Sequence, residues 1–246
     1  MNKKFTVIVA DPPWGGWSDN LKMSDVARGA QANYDTMSIS QIKQLPIKDL
    51  ISPDGAILAL WVPSSLLQEG LDTMKAWEFN HKQTYIWIKT KKEPLKITVP
   101  FLLKNIFNMV QRTSKRPGVF FSEPYVKKVW KEYFQKILNE TSFNDLLAFG
   151  MGRLFRNTHE ICLIGISNNK IYKKLQNRSQ RSVCFAENLK HSTKPDHLQD
   201  SLELMFPNQN YLEIFGRRLK SNWHVIGNQS PTTFGEDIFD SIKKLT

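Results

Sequence analysis

Val7-Ile8-Val9-Ala10-Asp11-Pro12-Pro13-Trp14 is the stretch on which the reading of this chain turns. Its first half completes a continuous apolar run, Phe5 to Ala10, rich in β-branched residues. Such a run predicts a strand buried on both faces. Its second half sets an acid, two prolines and an indole directly after that strand, at the carboxyl end where open α/β sheets place their ligands. Successive prolines fix φ and stiffen a loop. A strand feeding a rigid polar loop is the start of an α/β fold with a site at the sheet edge.

Outward from that point, strand-like and helix-like patterns alternate. Ser38-Ile39-Ser40-Gln41 has the form of a capping box and predicts a short helix ending before Pro46. Ala56 to Val62 predicts a second buried strand, followed by Ser64 and Ser65 as N-caps of a helix reaching Trp77. Further strands are predicted over Thr84 to Lys89, Glu160 to Ile166, Val183 to Phe185, Tyr211 to Phe215 and Trp223 to Ile226. Pro195 opens a helix that sets Leu198, Leu202, Met205 and Phe206 on one face. The alternation predicts an α/β, Rossmann-like fold with a mostly parallel central sheet and helices on both faces.

The 246 residues fit one domain, 1–246, and their net charge of +11 is unevenly spread. Residues 91–190 hold 19 Lys/Arg against 7 Asp/Glu, and the remainder is close to neutral. A basic middle on a neutral body is the footprint of a polyanion binder, with a merely solvated basic surface as the alternative. Within it, residues 91–149 interrupt the strand–helix rhythm and read as an inserted, mainly helical, basic segment. Val126, Val129, Trp130, Tyr133, Phe134, Ile137 and Leu138 recur there at helical spacing. That stripe suits core packing, a subunit interface or a base-stacking surface. The segment is a candidate nucleic-acid-binding or dimerisation element, so a homodimer or a heterodimer with a related subunit is a candidate assembly.

Two cysteines, Cys162 and Cys184, both in apolar runs, argue against a disulfide framework and a cysteine-based metal site. The five histidines show no ligand spacing, and no metal site is proposed. The opening residues lack the apolar length of a signal peptide, and no run is long enough to span a bilayer. A cytoplasmic protein without a membrane association is expected.

The Asp-Pro-Pro-Trp loop suits one kind of chemistry. An exocyclic amine on a nucleobase is a poor nucleophile because its lone pair is delocalised into the ring. A carboxylate and a main-chain carbonyl that accept its two N–H bonds can aim that lone pair at an electrophile. Asp11 supplies the carboxylate and Pro12 the carbonyl, pre-organised by Pro12 and Pro13. Trp14 offers a flat face for stacking a base, an interaction worth about 1–3 kcal/mol. In-line transfer of a methyl group then depends on positioning, and no metal is required.

Further motifs follow in order: Asn33-Tyr34-Asp35-Thr36-Met37-Ser38, Leu60-Trp61-Val62, Trp87-Ile88-Lys89, Arg156-Asn157-Thr158-His159-Glu160, His191-Ser192-Thr193-Lys194-Pro195, Leu212-Glu213-Ile214-Phe215-Gly216-Arg217 and Gly227-Asn228-Gln229. With VIVADPPW they make the chain resemble the DPPW-type N6-adenine methyltransferases, the MT-A family, over residues 5–90 and 150–229. The resemblance implies S-adenosyl-L-methionine as cofactor and the N6 amino group of adenine as acceptor. It implies catalytic roles for Asp11, Pro12, Pro13 and Trp14. Lys194 would neutralise the cofactor's carboxylate, and Arg217, Asn228 and Gln229 would contact its ribose and nearby polar groups. Glu213 and Phe215 would shape that pocket, which Asp11 also borders. Trp14, Tyr34, Met37, Trp87 and Lys89 would lie around the target base.

There are departures from the family pattern. Glu78 replaces the glycine of a Trp-Gly-Phe motif, with no functional consequence expected, and Leu219 stands where some members have histidine. Small, lysine-rich chains of this type look like bacterial or phage DNA enzymes, which favours DNA as the polymer, with the base flipped out of the duplex into the pocket. The same chemistry on RNA is the alternative, and a catalytically silent nucleic-acid-binding subunit is the third reading.

Overall fold

A computed structural model describes residues 3–15, 36–92, 128, 131–132, 143–150, 154–188 and 193–246. Tyr34 and most of the 91–149 segment, including the aromatic stripe from Val126 to Leu138, lie outside the described residues.

Seven strands form one sheet: β1 Val7–Ala10, β2 Ile57–Val62, β3 Asn80–Thr90, β4 His159–Ile166, β5 Val183–Glu187, β6 Tyr211–Ile214 and β7 Trp223–Ile226. Their spatial order is β5-β3-β4-β2-β1-β6-β7. β1 runs parallel to β2, pairing Val7 with Ile57, and parallel to β6, pairing Val7 with Tyr211. β6 and β7 are parallel, as are β3 and β5. β4 alone runs the other way, antiparallel to both β2 and β3. β1 and β2 are buried at every residue. A central strand paired on both sides, with helices above and below the sheet, has no solvent face, which is why neither run alternates.

Period two nevertheless sorts the side chains into two cores. Ile8, Leu58, Leu60, Leu212 and Ile214 face Ile42 of α1 (Ile39–Lys43), Met74 of α2 (Leu67–Ala76) and Ile242 of α4 (Ile238–Lys243). Val7, Val9, Ala59, Trp61, Tyr85 and Trp87 face Leu198 and Leu202 of α3 (His197–Met205). Each fully buried aliphatic contributes about 1.5–3 kcal/mol relative to exposure, so both layers are needed. Helices therefore lie on both faces of a mostly parallel sheet.

The capping box is formed: the Ser38 hydroxyl accepts the Gln41 N–H at 3.2 Å, and Gln41 Oε1 accepts the Ser38 N–H at 2.9 Å. Ser64 and Ser65 do not cap a helix. They lie in a 3-10 turn after Pro63, and α2 starts at Leu67 without a side-chain cap. The third strand begins at Asn80, four residues earlier than its apolar pattern predicts. Its exposed first residues pair with β4 through backbone alone, which needs no hydrophobic side chains.

α2 ends in a Schellman turn, with Phe79 N–H donating to Met74 O at 2.8 Å and Glu78 N–H to Lys75 O at 3.0 Å. Glu78 there has φ 66°, the left-handed region that favours glycine. The departure at Glu78 thus carries a backbone cost. Among the described residues, no helix is long and apolar enough to cross a membrane.

Candidate active site

Alternation along β1 continues past its end: Val7, Val9 and then Asp11 all point toward the α3 side of the sheet. Asp11 is held there by its N–H, which donates to Ile214 O of β6 at 3.3 Å. The next residues are tied down in turn. Pro12 O accepts the Trp14 N–H at 2.9 Å, Pro13 O accepts the Met37 N–H at 2.8 Å, and Gly15 N–H donates to Met37 O at 2.7 Å. The loop is therefore a short parallel bridge to the Met37 segment. The Pro12 carbonyl, expected to be uncommitted, uses one lone pair on Trp14 and keeps its second.

Trp14 is only 5% exposed, packed in the core on the α1 and α2 side, and its indole N–H donates to Trp61 O at 2.9 Å. The flat face expected to stack on a base is covered, because the indole N–H needs a buried acceptor and the nearest is on β2. Trp87 is likewise buried, with its indole N–H on Ala186 O at 3.1 Å. Both residues brace the site from beneath.

Lys194 stands just before α3, the helix that covers this face. Its Nζ lies 2.7 Å from Asp11 Oδ2, 3.2 Å from Glu160 Oε2 and 5.4 Å from the centre of the Trp61 ring. Glu160 in turn receives Lys89 Nζ at 2.6 Å on its other oxygen. Lys89, Glu160, Lys194 and Asp11 thus form a row of alternating charge along the carboxyl edge of the sheet. Burial alone would lower the Lys194 ammonium, but Asp11 and Glu160 outweigh it and hold it above its ordinary value. Burial likewise raises Glu160, yet Lys194 and Lys89 overcome it and hold the carboxyl below its usual range. Asp11 has one close cation rather than two, and burial pushes its carboxyl up against the pull of Lys194.

Glu160 is the functional residue that sequence reasoning missed. Its place follows from the reversed direction of β4, whose first residues reach the edge where the parallel strands finish. A residue entering a strand therefore meets residues leaving others. The only local signal was an acid opening an otherwise apolar strand.

The opposite wall comes from β6 and β7. Phe215 has φ 67°, rare for a bulky residue, and turns the chain at the end of β6. Gly216 N–H then donates to Ile226 O at 3.0 Å, and a Cβ on Gly227 would lie 2.8 Å from Gly216 O. The two loops stack backbone on backbone, which brings Arg217 alongside the exposed Asn228 and Gln229. The Arg217 charge reaches Asp11, favouring the carboxylate. Arg218, also unforeseen, donates to Lys194 O at 2.8 Å and to the Asp196 carboxylate, locking this wall to the start of α3. Glu213, on the same face as Tyr211, is pushed up to about 7 by burial, with Arg218 opposing.

The structure thus gathers Asp11 to Trp14, Met37, Lys89, Lys194, Glu213, Phe215, Arg217, Asn228 and Gln229 at the carboxyl ends of β1, β3, β6 and β7. The chain is similar to known proteins. The chain is 24% identical over 228 residues to the N(6)-adenosine-methyltransferase MT-A70-like protein of Drosophila melanogaster, covering 92% of this chain and 27% of that one. It is 23% identical over 228 residues to the N(6)-adenosine-methyltransferase catalytic subunit METTL3 of Homo sapiens, covering 92% and 28%. It is also 26% identical over 129 residues to the Type II methyltransferase M.MunI of Mycoplasma sp, covering 47% and 54%. The chain spans roughly a quarter of the length of the adenosine methyltransferases it matches. The MT-A70 family pattern matches residues 5–115 and 133–229, reaching into the basic segment and leaving 116–132 outside. With its acid-Pro-Pro-Trp loop, buried lysine and paired edge loops falling within that match, the chain belongs to the MT-A70 family of S-adenosylmethionine-dependent methyltransferases.

Proposed function

We propose that this chain transfers a methyl group from S-adenosylmethionine to the N6 amino group of adenine in DNA, the target base being flipped into a pocket at the Asp11–Trp14 loop. The observation that carries the reading is the buried contact between Lys194 and Asp11. It sets a group suited to a carboxylate ligand beside a group suited to an amine.

The side chains present fit the cofactor. S-adenosylmethionine carries a carboxylate, an ammonium, a sulfonium and a ribose diol. This edge offers the Lys194 ammonium, the acids Asp11 and Glu213 and the exposed amides Asn228 and Gln229, around loops that approach as bare backbone. When bound, the cofactor supplies an electrophilic methyl on sulfur. Lys194 faces its carboxylate, Glu213, Arg217, Asn228 and Gln229 hold its ribose and polar groups, and Phe215 walls the pocket. Asp11 and the second lone pair of Pro12 O accept the two N–H bonds of the adenine amine, so that its nitrogen lone pair points at the methyl. Transfer would break the methyl's bond to sulfur as the N–C bond forms, leaving a neutral thioether, and the amine nitrogen would shed one proton to solvent. Met37 and Lys89 border the base, while Trp14 and Trp87 hold the loop and strand that position it.

Residues 1–246 act as one methyltransferase domain in the cytoplasm, and the basic 91–149 segment engages nucleic-acid phosphates or a second subunit. The basic balance suits a nucleic acid, and the likeness to a type II methyltransferase favours DNA. Transfer to RNA is the second reading, favoured by the adenosine methyltransferases that match far more of the chain.

Incubation with tritiated cofactor and matched DNA and RNA oligonucleotides tests both. Label is expected as N6-methyladenine, in DNA ahead of RNA under competition, and absent with Asp11→Ala. Label confined to RNA moves the substrate to the second reading. No incorporation by the wild type, or undiminished incorporation by Asp11→Ala, overturns the chemistry.

A further inference from the structure

We propose that Phe149, Phe155 and Arg156 form a stacking platform for an unpaired nucleobase beside the target nucleotide. The proposal rests on the nucleic-acid reading above and extends it to how the strand around the target is gripped. Phe149 is 72% exposed and Phe155 88%, whereas most aromatics among the described residues are buried. Arg156 lies over the Phe149 ring, its guanidinium carbon 4.7 Å from the ring centre. One flat cation on one flat ring leaves an edge where a base can slide in.

The platform is continuous with the site. Ala148 N–H donates to Lys89 O at 2.8 Å, and Lys89 N–H donates to Thr158 O at 2.8 Å. The two arms that carry Phe149 and Arg156 are therefore both hung on Lys89, whose ammonium contacts Glu160 in the charged row. Gly150 packs so closely on the Asn157 carbonyl that a side chain there has no room, which keeps the arms together.

Charge selects the occupant. Arg156 lies on the Phe149 ring, and residues 91–190 carry 19 basic against 7 acidic residues. A polyanion that presents flat bases matches both features, whereas an apolar protein surface matches only the rings. Stacking on aromatics is sequence-tolerant because every base has a π-face.

The test uses two single-stranded probes of equal length and charge, an oligothymidylate and the same backbone carrying abasic spacers. Neither contains adenine, so neither reports on methyl transfer. Wild type is expected to bind the thymidylate about ten-fold more tightly. Phe149→Ala and Phe155→Ala should each erase most of that preference while binding the abasic probe as before, and Phe149→Trp should restore it. Both positions are exposed, and unchanged melting temperatures will verify folding. A preference that survives both alanine substitutions overturns the platform, as does equal binding of the two probes by the wild type. Dissociation of a dimer by Phe155→Ala with the preference intact also overturns it and assigns the patch to a protein interface. Failure to bind either probe counts against the nucleic-acid reading itself.

Discussion

Lys194 Nζ lies 2.7 Å from Asp11 Oδ2, joining two residues 183 positions apart in the chain. Glu160 Oε2 sits 3.2 Å from the same nitrogen, and Lys89 Nζ 2.6 Å from Glu160 Oε1. At such separations each attraction is worth about 5–6 kcal/mol at an effective dielectric near 20, and much of that offsets the cost of removing the charges from water. The net gain is in position rather than stability: each charge is fixed by an opposite neighbour, and the row sums to zero.

Lys194→Met removes the cation between Asp11 and Glu160, leaving Glu160 with Lys89 and Asp11 without its close partner. The fold is expected to lose about 3 kcal/mol, the range seen when one member of a buried pair is removed. Urea denaturation reads that loss. Calorimetry should in addition show S-adenosylmethionine affinity reduced at least about ten-fold, one buried charge-assisted contact being worth that much.

Glu160→Gln removes the charge that holds Lys89 and Lys194 apart while keeping the shape. Cofactor affinity and the methyl-transfer rate are expected to fall together, the rate by about a hundred-fold if Lys194 shifts by an ångström. Oligonucleotide affinity should stay unchanged. A merely structural role would show instead as a lower melting temperature with the rate per folded molecule intact.

Trp14→Phe keeps a ring in the core and deletes only the N–H bonded to Trp61 O at 2.9 Å. The expected cost is about 1–2 kcal/mol, because Trp61 O is left buried without its donor. Limited proteolysis should then cut more readily beside the loop. If Trp14 served chiefly as a stacking face, phenylalanine would preserve both stability and turnover.

Burial raises Glu213 from an ordinary 4.5 to about 7, so the folded chain holds this proton more tightly than the unfolded chain. Its stabilising contribution is complete below pH 4.5 and is lost as the pH climbs through 7. The loss approaches about 3 kcal/mol once the carboxylate is fully ionised. Urea midpoints measured from pH 5 to 8 should decline in the wild type and flatten in Glu213→Gln. An unchanged decline in the variant would remove Glu213 as the cause.

Glu78→Gly should stabilise the fold by about 1 kcal/mol, since the left-handed residue closing the Schellman turn no longer carries a Cβ. Thermal melting gives the readout, and activity should not change because Glu78 lies at the far end of α2 from Asp11.

The apolar runs and their periods were enough to place all seven strands. The capping box at Ser38 and the Pro195 helix were also legible, because they depend on residues a few positions apart. The acid-Pro-Pro-Trp loop at the end of β1 was visible for the same reason, as were the late Lys194 and the Gly-Asn-Gln turn once the order of motifs was taken together. Ser64 and Ser65 misled because the turn after Pro63 uses backbone rather than hydroxyls.

What a sequence determines by itself is local: which residues alternate, which stiffen a loop, which bear charge. Strand direction and lateral order are set by contacts between residues a hundred or more positions apart, and no period records them. The reversal of β4 between β2 and β3 is such a decision, and it alone carries Glu160 to the edge where Lys194 and Lys89 meet. The same holds for Trp14, whose chemistry suggests a stacking face until the fold supplies Trp61 O as the acceptor for its indole N–H. The sequence named the acid of this site, and the tertiary structure chose its partners, because a buried charge or donor is defined by what packs against it.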